Sequence, residues 1–188
     1  KLFQYLPLSA VITNTCGKYL CCHGGLSPDL HNVKEIDDLN RKDEPPMNGL
    51  FCDILWSDPT DDPQYGIPPK EMTAQQIDTV LGGQFVPNHL RGCSVSYGYA
   101  AAKNFLEEND LLCIIRAHAV QEGGYFRHFE DSLLECQKSI DDGTINDFDP
   151  SLYIPRKLPA VITVFSAPNY CGRYGNRGAV LTLEWDEL

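Results

Sequence analysis

The amino-acid sequence predicts a mixed α/β fold with a substantial sheet core. Three observations predict it. Apolar runs of strand length recur along the chain, among them SAVIT, KYLCC, LLCIIRAH, AVITVFS and GAVLTLEW. Segments with helical spacing, VKEIDDL, TAQQIDTVL and YGYAAAKNFLEEND, lie between them. The chain is 188 residues long and 43% apolar, enough for one domain with a real core or a large piece of a bigger one.

Taken in order, SAVIT and Lys18 to Cys22 read as two strands joined by a polar turn containing Gly17. VKEIDDL reads as a short helix with Asn32 as its N-cap. NRKDEPPMNG is loop, because Pro45 and Pro46 bar regular structure. LFCDIL is a short buried element ending at Trp56, and SDPTDDPQYGIPP is again loop. A helix is expected from Thr73, and another over YGYAAAKNFLEEND with Ala101, Phe105 and Leu106 on one face. LLCIIRAH and GYFRHFE read as strands. The polar stretch from Glu130 to Pro159 is too long for an ordinary loop. It reads as an acidic insertion, mobile, with one short helix around Ser132 to Ile140. AVITVFS and GAVLTLEW are the last strands, joined by APNYCGRYGNR.

The net charge of -11 argues against nucleic-acid partners and anionic membrane surfaces, which both need clustered Lys and Arg. Acid concentrates between Asp29 and Asp62 and between Glu130 and Asp149; both stretches read as solvated faces. None of the eight cysteines forms C-x-x-C, and no Cys/His spacing fits a structural zinc site. That usage points to a reducing, cytoplasmic setting, with the nucleus also open. No apolar run is long enough to span a bilayer. The chain does not begin with Met and opens directly into core-like sequence, so a preceding segment is expected.

Two histidines share one arrangement. His23 and His118 each follow a buried strand and precede a sharp loop, where sites are commonly built. Gly24 and Gly25 would let a ligand approach the backbone. Arg91, followed by Gly92, suits a guanidinium that grips an oxyanion in two places. Asp58, before a proline, either orients a ligand or caps a turn. Tyr170 follows an apolar strand and offers a hydroxyl to an oxyanion or to the core rim. Cys171 to Arg177 also fits C-x5-R, the spacing of thiolate-dependent phosphatases. There, however, no His precedes the cysteine, no Ser or Thr follows Arg177, and a strand is expected where that chemistry needs a helix N-terminus.

LCCHGGLSPDL, CDILWSDP, RGCSVSYGY, IIRAH and VFSAPNYCG stand in the order found in the metal-dependent Ser/Thr phosphoprotein phosphatases. The chain resembles that family, above all its calcineurin (type 2B) catalytic subunits, over nearly all its length except Asp131 to Leu158. The resemblance implies half of a four-layer metallophosphatase fold, a central β-sandwich flanked by helices. It implies hydrolysis of phosphoserine and phosphothreonine esters by a water activated at a two-metal centre, Fe/Zn or Mn. It makes His23 and His118 metal ligands, Arg91 the phosphate-gripping arginine, Tyr170 a residue of the phosphate site and Asp58 a supporting residue. Phosphoprotein substrates, and a regulatory subunit of the Ca2+-sensor type, are the partners it implies. Cys171 matches the corresponding loop of the type 1 and type 2A enzymes rather than type 2B.

The family's G-D-x-H-G, G-D-x-V-D-R-G and G-N-H-E motifs are absent from this sequence. The chain is therefore expected to be the C-terminal part of a catalytic domain over residues 1–188, binding metal poorly by itself. Half a sandwich would also expose an apolar edge, inviting the missing half or a second copy. The competing expectation is a non-catalytic phosphatase-like module or scaffold that binds phosphoproteins without turnover.

Overall fold

The computed structural model of the chain describes residues 2–62, 74–82, 85–141 and 156–184. Ser9–Asn14 (β1) and Gly17–Cys22 (β2) form an antiparallel hairpin, as the two short strand-like runs and the polar turn around Gly17 predict. Cys113–Arg116 (β6) pairs parallel with β2, and Val161–Val164 (β8) pairs parallel with β6. Tyr125–Arg127 (β7) closes the far edge antiparallel to β8, so the five-stranded order is β1-β2-β6-β8-β7. A second sheet holds Asp58–Pro59 (β3), Phe85–Pro87 (β4) and Val95–Tyr97 (β5) in the order β3-β5-β4.

Four α-helices stand among the described residues: Leu50–Trp56 (α1), Ala74–Leu81 (α2), Tyr99–Glu108 (α3) and Glu130–Asp141 (α4). Asn32 caps a single 3-10 turn over Val33–Ile36 through a capping box with Glu35. On α3, Ala102, Phe105 and Leu106 are buried while Ala101 is half-buried, so the core face lies one residue beyond the expected start. The central strands contribute Leu20, Ile114 and Val161, and β5 contributes Tyr97, to one core that also holds Ile54, Leu81, Leu106 and Phe129. Each such side chain is worth about 1.5–3 kcal/mol when taken fully from water.

Three expectations are corrected. The first part of the acidic stretch, Glu130–Asp141, is a packed helix, not a mobile segment: Leu133 and Cys136 enter the core and the helix lies against α2. Its apolar residues three apart supply that buried stripe. The remainder, 142–155, lies outside the described residues, as do the expected helix start at Thr73 and most of the loop after Asp62. The final strand is absent over residues 178–184. The segment makes isolated bonds instead, such as Ala179 N to Phe165 O and Asn14 Nδ2 to Glu184 O. The acidic run from Asp29 to Asp62 is not uniformly solvated, because Asp53, Asp58 and Asp62 are buried. No helix among the described residues is long and apolar enough to cross a membrane.

Candidate active site

Parallel pairing determines where the site lies. β2, β6 and β8 run side by side, so their C-terminal ends share one edge of the sheet, the edge at which ligands bind in open α/β sheets. His23 follows β2, His118 follows β6, and the segment Phe165 to Tyr174 follows β8. An open cleft of about 820 Å3 lies there, lined by His23, Trp56, Arg91, His118, Ser166 and Tyr170, among others.

The two histidines converge. The Ala117 amide donates to the His23 carbonyl, which locks the two strand ends together at 3.1 Å. His118 has φ 63°, and the Ala119 amide bonds back to the Ala117 carbonyl at 2.7 Å. An i to i+2 bond around a left-handed residue is the mark of a γ-turn of the rarer, strained hand. The strain turns the His118 ring into the cleft, where Nδ1 lies 3.2 Å from His23 Nε2. The Trp56 and His118 rings meet edge to face at 5.3 Å. Burial, chiefly, lowers the His118 pKa to about 3; Arg91, Arg116 and His23 add to the lowering and Asp58 opposes it. Burial and then Arg116 and Arg91 lower that of His23 as well. Both imidazoles are therefore neutral at pH 7, the form that binds metal.

These residues fit a metal in part. Two ring nitrogens each about 2.1 Å from one ion, at a right or tetrahedral angle, stand about 3.0–3.4 Å apart. The observed 3.2 Å falls in that range. The other ring nitrogen of His118, Nε2, is buried, has no hydrogen-bond partner and is not the atom that would meet the ion. No group of three or more His, Cys, Asp or Glu able to hold a metal occurs among the described residues. The described residues thus offer two candidate places of a coordination sphere.

Arg91 reaches the cleft, but its fork is directed inward. Its Nε donates to Asp58 Oδ2 at 2.8 Å and its Nη2 to Asp58 Oδ1 at 3.2 Å. The two-point grip expected toward an external oxyanion is made to Asp58 instead, which orients the charge in advance. Asp58 itself, 1% exposed, does not line the cleft. It lies beneath, also accepting from Asn88 Nδ2 at 2.9 Å and Arg116 Nη2 at 2.8 Å. Burial alone would raise its pKa, but the bonds and charges of Arg91, Arg116 and Asn88 outweigh it and hold the pKa at about 2. An unfolded Asp titrates near 3.8. Stability from Asp58 is therefore present above pH 4 and lost as pH falls from about 4 to 2, a change of about 2 kcal/mol. Urea midpoints measured between pH 5 and pH 2 should show this loss, and Asp58→Asn should remove that part of the slope; parallel profiles for the two proteins would refute the assignment.

Tyr170 lines the cleft and packs edge to face on Phe165 at 5.2 Å. Its backbone amide is held by Asn176 Oδ1 at 2.9 Å, in a loop with left-handed residues at Asn169 and Cys171. Cys171 is exposed, and no helix follows its loop among the described residues, so the thiolate arrangement is not built.

The glycines after His23 serve the chain's own packing. A Cβ on Gly24 would stand 2.6 Å from the backbone of Leu55 and Trp56, and one on Gly25 would strike the Tyr97 ring. The close approach expected from a ligand is made by α1 and β5.

Sequence reasoning missed Arg116, Asn88, Trp56 and the buried Asp53. Arg116 is the centre of the buried polar network, donating to Gly24 O, Ser57 O, Asp58 Oδ1 and Thr163 Oγ1. The signal was available: an arginine at the end of the apolar run CIIR must find partners inside. Nearby, His128 bridges Asp61 at 2.6 Å and Thr163 Oγ1 at 2.7 Å.

A family model described as the calcineurin-like phosphoesterase matches residues 1–122. Serine/threonine-protein phosphatase 2B catalytic subunits A2 and A1 of Saccharomyces cerevisiae are each 37% identical to the chain, over 97% of it. The chain spans only 28% and 27% of those two proteins. Among solved structures, a protein serine/threonine phosphatase of the same yeast, with similarity to human phosphatase PP5, superposes with a TM-score of 0.57. It is 26% identical, and the match covers 94% of this chain and 39% of that one.

Proposed function

The chain belongs to the calcineurin-like phosphoesterase family, and from that premise we propose that it forms part of the catalytic domain of a protein serine/threonine phosphatase. The observation that carries the reading is the convergence of two neutral imidazoles, 3.2 Å apart, in a cleft that also holds Arg91 and Tyr170. His23 and His118 hold metal; metal ions, when bound, neutralise phosphate oxygens and make water a nucleophile near neutral pH. Arg91, fixed by Asp58, places positive charge beside the phosphate oxygens, where charge redistributes as the ester bond breaks. Tyr170 offers its hydroxyl from the opposite loop and Trp56 walls the cleft beside His118. Fe, Zn and Mn all suit imidazole with carboxylate donors. Phosphoproteins are the substrates, and the relatives' designation as catalytic subunits supports a regulatory partner.

A second reading, a phosphoprotein-binding module without turnover, is favoured by the two-imidazole donor set alone. Elemental mass spectrometry and phosphate release from a phosphoserine peptide, both on the full-length gene product, separate the two. The phosphatase reading expects close to two metals per chain and chelator-sensitive hydrolysis, with His118→Ala losing both. Phosphopeptide binding with neither metal nor hydrolysis would establish the module instead.

A further inference from the structure

Asp53 belongs to no part of the proposed chemistry, yet its carboxylate stands between both loops that carry it. It is 2% exposed and sits on α1. Ser27 Oγ, from the loop that begins at His23, donates to Asp53 Oδ2 at 2.6 Å. Ser94 Oγ, from the loop that carries Arg91, donates to Asp53 Oδ1 at 2.7 Å. One buried anion thus ties the two loops, one oxygen to each. Neither serine is placed there by chance of backbone. Ser94 holds φ 65°, a left-handed conformation that a serine adopts at a cost. Ser27 is 1% exposed, and its Oγ also accepts from the Asp29 amide at 3.2 Å, closing the turn after the glycines.

The rest of α1 and its exit reinforce both links. The Gly24 amide bonds to the Ile54 carbonyl at 2.9 Å, next along the helix from Asp53. Asp58, just beyond the helix, grips Arg91. The helix therefore holds the histidine loop by Asp53 and Ile54 and the arginine loop by Asp53 and Asp58.

We propose that Asp53 is a positioning residue, a carboxylate staple that holds the metal-ligand loop of His23 in register with the phosphate-binding loop of Arg91. The assignment of roles to those loops rests on the phosphatase reading; the staple itself rests on the two serine bonds. Asp53 touches neither substrate nor metal. It acts by making the separation of His23 and Arg91 independent of what occupies the cleft.

The test is amide hydrogen exchange on the full-length protein carrying Asp53→Ala, Asp53→Asn, Ser27→Ala or Ser94→Ala, with steady-state kinetics in parallel. Loss of a buried hydrogen bond to an anion predicts about a tenfold faster exchange in the loop it held. D53A should open both 23–27 and 91–95, S27A only the first and S94A only the second. D53N should keep both slow, because its carbonyl accepts from one serine while its NH2 donates to the other. In kinetics, S94A should lower kcat more than it raises KM, because the Arg91 loop it loosens acts on the transition state. Should D53A fail to fold, the two serine variants still decide. Exchange that rises uniformly along the chain, or serine variants that each open both loops, would reduce Asp53 to a general core residue and overturn the proposal. The exchange pattern without any hydrolysis would leave the staple standing and remove the phosphatase reading; hydrolysis without the pattern would do the reverse.

Discussion

Replacing Arg91 with lysine in the full-length protein is expected to lower kcat/KM for a phosphoserine peptide about a hundredfold, although the charge is kept. Lysine cannot reproduce the paired bonds from Nε and Nη2 to the two oxygens of Asp58. Its ammonium would swing on four bonds and seek water. The charge would then be absent from the point where it acts for most of the time, and kcat should fall with kcat/KM rather than KM alone rising. Asp58→Asn should reproduce most of this loss with Arg91 intact, because the amide binds the guanidinium weakly. The two substitutions should therefore be far from additive in the double variant. A fall of less than threefold for Arg91→Lys would mean that a mobile charge suffices, and the orientation by Asp58 would be incidental.

The second large effect concerns stability. Arg116→Met should cost about 3–5 kcal/mol, read from the urea midpoint of the full-length protein. Arg116 is 1% exposed, and its guanidinium donates to two carbonyls, a carboxylate and a hydroxyl from three separate segments. Methionine fills much of the volume but leaves the Gly24 and Ser57 carbonyls buried without their donor. Asp58 would keep Arg91 and lose half its neutralising charge. Domains of ordinary size hold a total of about 5–15 kcal/mol, so about a fifth or more of the stability rests on one side chain. Arg116→Lys should cost nearly as much, since one ammonium cannot meet four acceptors in different directions. Losses below about 1 kcal/mol for both would show that the network is wet enough to rebuild itself.

What the sequence made legible was whatever one-dimensional spacing controls. The β1–β2 hairpin, the capped turn at Asn32, α3, and the strands ending at His23 and His118 follow from period, capping residue and apolar run. That the two histidines meet depends on parallel pairing of β2 with β6 across 90 residues of chain, which no local pattern encodes; their shared strand-end position is informative only because C-terminal ends of parallel neighbours lie together. The last strand was read from a good apolar pattern, but a pattern cannot report whether the fold brings a neighbouring strand to pair with it. The acidic run hid three buried carboxylates because charge counts do not say which members are paired. Asp53, Asp58 and Asp62 are distinguishable from their solvated neighbours only by their partners in space.

On the proposed reading of His118 as a metal ligand, its left-handed turn limits how the metal could be changed. A residue there must satisfy the backbone before it can serve as a donor, and β-branched or bulky side chains would fail the first requirement. Asparagine and aspartate, like histidine, are among the side chains most often found at positive φ, and they carry oxygen in place of nitrogen. Redesign toward harder ions, such as magnesium, is therefore open at this position through two substitutions that leave the turn unchanged, while redesign toward most other chemistries would require rebuilding the loop.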